Sequence, residues 1–467
     1  MLFSSIPFLF YFLPIVIALY FIVPKAGKNL VLLLASLFFY WWGEPRYVIL
    51  MLFTTAFAYV CGLLIDRFRG RPAAKAFLAL SVVGELAVLG YFKYADFFLE
   101  TVNTVLKTEF PLLAIALPIG ISFYTFQTLS YTIDVYRGNV GVQRSFLKLA
   151  TYIALFPQLI AGPIVRYSAV ERELAQRRTG IDDLTAGLSR FVIGLSKKVL
   201  IANQLGALAV ALRATGESSV LMYWLIAAAF ALQIYFDFSG YSDMAIGLGR
   251  VFGFHFPENF NYPFIARSAT EFWRRWHISL GSWFRDYVYI PLGGSRVSKL
   301  RQMGNILIVW LLTGLWHGAA WNFVLWGLYF AALLVLEKLV LNRVLDRVPA
   351  VLQHGYLLIA AVFSFAVFNA NGLSGMVSDV TGMLGLAGGG LVSPQTLYYL
   401  SSYAVLLVIA AIGATPWPKR LAERFAAGAV GARLMPVVQP AVLLVLLVVC
   451  TAYLVDGSFN PFLYFRF

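Results

Sequence analysis

Charge, histidine and cysteine are all scarce in this sequence. Charged residues fill 12% of its 467 positions and apolar ones 60%, against roughly 25% charged in an ordinary soluble domain. Mean hydropathy is +0.78. A soluble chain of this length buries a large core, but not this much apolar surface. Lipid must therefore solvate much of it. The two cysteines, Cys61 and Cys450, lie in apolar runs and read as small core hydrophobes, which excludes a disulfide framework. No Cys-x-x-Cys or His-Glu-x-x-His spacing occurs, so no metal site is expected. The net charge of +14 would suggest nucleic acid in a soluble protein. Here the basic residues sit in short clusters between apolar runs, as the positive-inside rule expects, and nucleic acid is not an expected partner. The opening residues lack the basic segment and small-residue cleavage site of a signal peptide, so the first run reads as a retained span.

What is abundant is long apolar sequence. A span needs about 20 mostly apolar residues, and runs of suitable length lie near 6–23, 29–43, 47–65, 76–98, 111–133, 149–165, 191–212, 218–236, 302–336, 356–371, 396–414 and 435–455. Allowing for re-entrant segments, these predict roughly ten to twelve crossings of an all-α polytopic membrane protein, because lipid leaves unpaired backbone groups without partners. Lys25 and Lys28, then Glu44 and Arg46, then Arg67, Arg69, Arg71 and Lys75 against Asp66 alternate strong, weak, strong in positive charge. That pattern places the N-terminus outside. Lys419, Arg420, Arg424 and Arg433 mark a late cytoplasmic loop and put the C-terminus outside as well. The glycine-rich stretch 372–395, with Asp379 as its one charge, fits an outer loop. Two charged stretches, Arg166 to Lys198 and Arg267 to Arg301, read as amphipathic helices on the cytoplasmic interface. There is no internal repeat, no low-complexity tail and no second soluble domain. The expectation is one membrane domain over residues 1–467.

His317 is the one histidine inside a long apolar run; the others are His255, His277 and His354. The 35 uncharged residues between Arg301 and Glu337 would make a helix of about 52 Å, longer than the ~30 Å hydrocarbon core. The segment must tilt, break or re-enter, most easily at Gly314 and Gly318, which flank His317. On a helical projection Trp310, Thr313, Gly314, His317 and Trp321 share a face that points into the bundle. An ionisable residue at that depth is a candidate site; the plain alternative is a hydrogen bond between helices. A neutral imidazole in a dry pocket could take a proton from a hydroxyl. His277 follows Glu271-Phe272-Trp273-Arg274-Arg275-Trp276. In a continuous helix Phe272, Trp276, Leu280, Trp283 and Tyr287 form one arc, with His277 at its border, free to reach inward or to line the interface. Arg274 and Arg275 could meet phosphates of a cofactor or of lipid head groups. Asp237 and Asp243 near Gly240 are too far around a helix to pair easily; a polar lining or a cap is the expectation. Glu85 reads as glue within the bundle. The run Gly388-Gly389-Gly390 lacks the strand and helix of a phosphate loop.

Several stretches together carry a resemblance. Trp316-His317-Gly318 follows Phe272-Trp273-Arg274-Arg275-Trp276-His277 by 40 residues. Around them lie Leu117-Pro118-Ile119-Gly120-Ile121-Ser122-Phe123-Tyr124, Leu159-Ile160-Ala161-Gly162-Pro163-Ile164-Val165-Arg166, Asp237 to Asp243, Arg285-Asp286-Tyr287-Val288-Tyr289-Ile290-Pro291-Leu292-Gly293-Gly294, and the ending from Pro461 to Phe467. The set resembles the membrane-bound O-acyltransferase (MBOAT) family, and within it the branch that O-acetylates alginate, over nearly the whole chain. The resemblance implies a ring of transmembrane helices, with interfacial and re-entrant helices, around a central tunnel. It implies His317 as the catalytic histidine, and His277 at the position where eukaryotic members carry asparagine. It implies O-acetylation of an exported polysaccharide at a bacterial inner membrane, with no resident cofactor, acetyl-CoA as donor, and a periplasmic SGNH-type acetyltransferase and polysaccharide synthesis or secretion proteins as partners. After residue 340 the chain reads as shorter than the alginate members, which leaves the polymer open, cellulose included. Two other classes stand beside this one, a polysaccharide exporter and a non-catalytic scaffold. Within the family a D-alanyl transferase for teichoic acid is the rival.

Overall fold

The computed structural model describes residues 1–457, 460 and 461. They are helical, with no strand among the described residues. Seven helices are long and apolar enough to cross a membrane: Tyr47–Arg67, Pro72–Leu106, Ile181–Ala214, Val220–Val251, Trp321–Leu345, Ala350–Asn369 and Ala429–Val455. The bent pair Pro394–Ser402 and Ala404–Gly413 makes an eighth if it is one span. That is fewer than the ten to twelve crossings expected. The runs at 29–43, 111–133 and 149–165 form helices too short for the count, Lys28–Gly43, Ile121–Arg137, and Phe146–Ala154 with Phe156–Leu159. In the last of these the apolar sequence fills protein interior: Leu149, Ile153, Phe156 and Leu159 are fully buried. By contrast Val437, Leu444, Val445 and Val448 on the last long helix are exposed, as lipid-facing side chains must be when hydrocarbon is the solvent.

The chain divides into two compact units, Met1–Phe191 with Tyr241–Pro257, and Val192–Gly240 with Glu258–Phe467. Within the first, the helix Ile121–Arg137 buries hydroxyls and amides as well as apolar groups, among them Thr125, Gln127, Thr128 and Ser130. Ser81 Oγ donates to Thr132 Oγ1 at 3.1 Å, and Glu85 is buried nearby on the same helix as Ser81. Gly120 has φ +77°, and a Cβ there would lie 2.5 Å from the Leu159 carbonyl oxygen. Only glycine fits that turn. Arg177 ties the unit together, donating to Tyr20 Oη, the Phe252 carbonyl and Asn29 Oδ1. His255 pairs with Glu173 at 2.7 Å.

Two expectations about charged stretches need correction. Residues 181–198 are not an interfacial helix; they begin the long Ile181–Ala214 helix. Its charges are met by acids: Arg190 pairs with Asp243 at 2.8 Å, and Lys198 with Asp237 at 2.7 Å. Those partners also settle the two carboxylates, each of which neutralises a base. Nor does Gly240 cap a helix, since Val220–Val251 runs through it. A Cβ on Gly240 would lie 2.7 Å from the Gly194 carbonyl oxygen, so glycine permits close backbone approach.

Within the second unit the 302–336 run breaks where its length demanded. Lys299–His317 ends at His317, Gly318 is extended, and the next helix starts at Trp321. The two helices pack back to back through Gly314 and Gly327, whose Cβ atoms would each lie 2.4 Å from a carbonyl oxygen of the facing helix. The outer loop expected at 372–395 is half helix, Gly372–Met383, and Asp379 pairs with Arg213 at 2.8 Å. The triple-glycine run is a loop, and the Gly390 carbonyl accepts from Val220 N at the start of a helix. Cys61 and Cys450 are buried and free. Lys198 Nζ also donates to the Pro461 carbonyl; residues 462–467 of the family-like ending lie outside the described residues.

Candidate active site around two buried histidines

All residues of this site belong to the second unit. The stretch 267–301 is not one amphipathic helix. It breaks into Ala269–Arg275, Ile278–Phe284 and the π-turn Arg285–Tyr289. The arc read from sequence survives, since Phe272, Trp276, Leu280, Trp283 and Tyr287 are all buried. His277 itself is the break. It takes the left-handed conformation at φ 43°, which redirects the chain between the two short helices, and its side chain is 1% exposed. A histidine expected at the border of an arc is therefore fully interior.

The first short helix is anchored at its N-terminus by a buried carboxylate. Glu337 accepts from Ala269 N, Thr270 N and Thr270 Oγ1 at 2.5, 2.9 and 2.7 Å, and from Tyr356 Oη at 3.0 Å. An anion receiving the unpaired amides of a helix start is the favourable arrangement. Trp276 and His277 follow directly and are held by what that anchor holds.

His317 comes from the other direction, as the last residue of Lys299–His317, and is 6% exposed. Trp310, Thr313 and Gly314 share its buried face, as projected. Trp321 does not; it is exposed, because the helix ends before it. The two imidazoles bracket one indole. Ring centroids of His277 and Trp316 are 5.7 Å apart, and those of Trp316 and His317 are 5.0 Å apart. Trp326 and Phe368 stand edge-on to His317 at 5.0 and 5.3 Å, and Phe238 edge-on to His277 at 4.7 Å. Burial holds the His277 imidazole, which lies outside the spanning helices, well below the ordinary histidine value, and charge on His317 pushes it the same way.

Two cavities lie in this unit. A small one of about 10 Å³ touches His317, Trp326, Phe365, Phe368, Ile234 and Phe238, room for about one water. A larger one of about 310 Å³ is lined about equally by polar and apolar groups, with Arg213, Gln233, Asn369, Asn371, Ser378 and Asp379 in its wall. Phe230 borders the large cavity and Phe368 the small one, and their rings are 6.5 Å apart.

Of the residues predicted from sequence, the structure therefore brings His277 and His317 together. Arg275 is engaged with Glu271 at 2.8 Å and with the Asn261 carbonyl; Arg274 is exposed and makes no ion pair among the described residues. His354 donates from Nδ1 to the Ala266 carbonyl, 3.0 Å away. Sequence reasoning missed Asn259, Ser279, Glu337 and the Phe238 and Phe368 walls. Asn259, in Glu258-Asn259-Phe260-Asn261, carries no periodic signal, and its contact with His277 is purely tertiary.

The family model for the membrane-bound O-acyltransferase family matches residues 140–378, which include both histidines. The protein described as "Probable alginate O-acetylase AlgI" of Pseudomonas aeruginosa is 44% identical over 378 residues, 80% of this chain and 73% of its own length. Its counterpart in Pseudomonas putida is 38% identical over the full length of both chains. A peptidoglycan O-acetyltransferase of Helicobacter pylori is 35% identical over 83% of this chain and 80% of its own. The multi-pass helices, the paired buried histidines and these relatives agree: the chain belongs to the membrane-bound O-acyltransferase family and is an acyltransferase.

Proposed function

We propose that this protein passes acetyl groups from a cytoplasmic thioester, acetyl-CoA or an equivalent, across a bacterial inner membrane for O-acetylation of an exported polysaccharide, with His317 as general base. The observation that carries the reading is the buried histidine pair around Trp316, with a small cavity against His317. Its relatives named for O-acetylation of alginate and peptidoglycan support the acetyl donor and the polymer class.

In this mechanism an acceptor hydroxyl lies beside His317. Its oxygen attacks the thioester carbonyl as its proton passes to the imidazole. The C–O bond forms, the C–S bond breaks, and the imidazolium returns the proton to the departing thiolate, leaving an ester and a free thiol. Proton transfer by a positioned histidine contributes roughly 10²–10⁴-fold. Aromatic walls that keep out bulk water protect the thioester from hydrolysis and strengthen the polar contacts inside. Arg274, exposed on the basic 267–301 stretch, meets the donor phosphates in this reading. The termini lie in the periplasm, where a periplasmic SGNH-type acetyltransferase and the polysaccharide synthesis proteins complete the transfer.

The test is His317→Ala, with polymer acetylation measured in cells whose membrane levels of the variant match the wild type. Acetylation falls by at least ~10²-fold; normal acetylation ends the proposal. Supplying labelled acetyl and D-alanyl donors side by side separates this reading from teichoic acid D-alanylation, and an exporter or scaffold consumes neither.

A further inference from the structure

The amide of Asn259 is fixed by its neighbours. Its Oδ1 lies 3.2 Å from the backbone N of Ser279, 2.8 Å from Ser279 Oγ and 3.1 Å from His277 Nδ1. A backbone N–H can only donate, so the atom it meets must be the oxygen and not the amide nitrogen. An oxygen at that place has only lone pairs to offer, so His277 Nδ1 must carry its hydrogen. The neutral ring then has no second N–H, and Nε2 is a lone pair. The Asn259 backbone is pinned as well, because its carbonyl accepts from Ile278 N at 2.9 Å, while Asn261 N donates to the Arg275 carbonyl at 2.9 Å. The left-handed turn at His277 lets those two segments run side by side.

Nε2 is buried and has no hydrogen-bond partner among the described residues. Its surroundings are the rings of Phe238, Phe260 and Trp316. Trp273 Nε1 and Trp326 Nε1 in the same cage are likewise buried without a hydrogen-bond partner among the described residues, and a buried acceptor left unpaired in such a site is most simply one whose partner arrives with the substrate. We infer that Asn259 is a positioning residue that locks His277 as the Nδ1–H tautomer, so that Nε2 accepts a hydrogen bond from a substrate hydroxyl other than the one His317 deprotonates. The inference rests on the acyl-transfer reading above and deepens it. It assigns His277 to the hydroxyl side of the reaction. Polarising the thioester carbonyl would need an N–H, and the one N–H of the neutral ring is held by Asn259. The titratable group acting on His277 is His317; its other close neighbours are the three aromatic rings, Asn259 and Ser279.

The experiment follows thiol release from acetyl-CoA in membranes carrying the full chain and its native partners, across pH, for Asn259→Leu, Asn259→Asp and His317→Ala at matched membrane levels. Asn259→Leu removes the acceptor and frees both tautomers; kcat falls between ~10-fold and ~10⁴-fold, with KM for acetyl-CoA within about twofold. Asn259→Asp accepts the same hydrogens but stabilises the charged ring, so most of kcat survives and the acid limb of the profile moves up by about one pH unit. Wild-type kcat in Asn259→Leu with an unmoved acid limb overturns the inference. Should Asn259→Leu fail to reach the membrane, an unmoved acid limb in Asn259→Asp overturns it equally. If His317→Ala loses turnover while both Asn259 variants behave as wild type, only the tautomer assignment falls; if His317→Ala keeps turnover, the acyl-transfer reading falls with it.

Discussion

Asp237 and Phe238 are neighbours on one helix yet stand in different company. Asp237 meets Lys198 at 2.7 Å, both side chains 3% exposed, and Lys198 also reaches the Pro461 carbonyl. Phe238 stands 4.7 Å from the His277 ring, in a cage of aromatic walls. In the first region two charges survive burial because each is the other's counter-ion. In the second, no carboxylate among the described residues stands with the rings around His277, and burial disfavours the charged ring instead. The chemical difference lies in the groups. Lysine and aspartate must be paired to remain charged in the interior, whereas an imidazole sheds its proton near neutrality and keeps a usable lone pair. A paired ion consolidates structure; a neutral base in a dry cage is available for reaction.

That contrast breaks most easily at the ion pair. Lys198→Met leaves Asp237 without its counter-charge and costs about 3–5 kcal/mol, the range for breaking a buried pair from one side. The double change Lys198→Met with Asp237→Leu recovers most of that loss, because well-packed apolar residues replace a buried pair at little cost. Thermal unfolding of the purified variants in detergent measures both. A single variant as stable as the wild type would mean the pair is hydrated, and the contrast with the histidine cage would vanish.

The histidine side is sharpened by pH. The folded-state pKa of His277 is depressed, while the unfolded chain takes a proton near ~6.5. Below that value the unfolded state binds more protons than the folded state, so stability is lost as pH falls. The thermal midpoint should drop between about pH 7 and pH 5.5, and His277→Gln should flatten the drop. For the same reason, thiol release should hold steady through ~6.5 and fail only below it. A midpoint that falls equally in the glutamine variant would place the titration elsewhere.

The sequence showed one of these two regions better than the other, for physical reasons. His317 was visible because 35 uncharged residues cannot make one span, and glycines beside it mark the break that occurs. Trp321 was misplaced for the same cause: a projection continued through a break assigns the wrong face. His277 looked like a border residue because periodicity assumes one helix, and a left-handed φ at a single position leaves no periodic trace. Asn259 is 18 residues from the ring it fixes, in a loop, and only folding shows the contact. Arg190 and Lys198 were read as interfacial because each charge was weighed without its acid, Asp243 or Asp237, which lies tens of residues away. Membrane class and the histidine at depth come from composition and length; pairing and tautomer come from tertiary structure.

The smallest effect separates two adjacent arginines that the sequence treats alike. Arg275 is spent on Glu271, an i,i+4 pair at 2.8 Å with about a third of each side chain exposed, and on the Asn261 carbonyl. Losing such a partly solvated pair costs no more than ~1 kcal/mol. Arg274 is exposed and makes no ion pair among the described residues, so Arg274→Ala should leave the thermal midpoint alone. If its guanidinium meets donor phosphates, the same change raises KM for acetyl-CoA several-fold, and added salt shrinks the difference by screening. Arg275→Ala should show the reverse: a small loss of stability and a nearly unchanged KM. Equal KM effects from both would mean that the donor meets the basic face as a diffuse field rather than through one free cation.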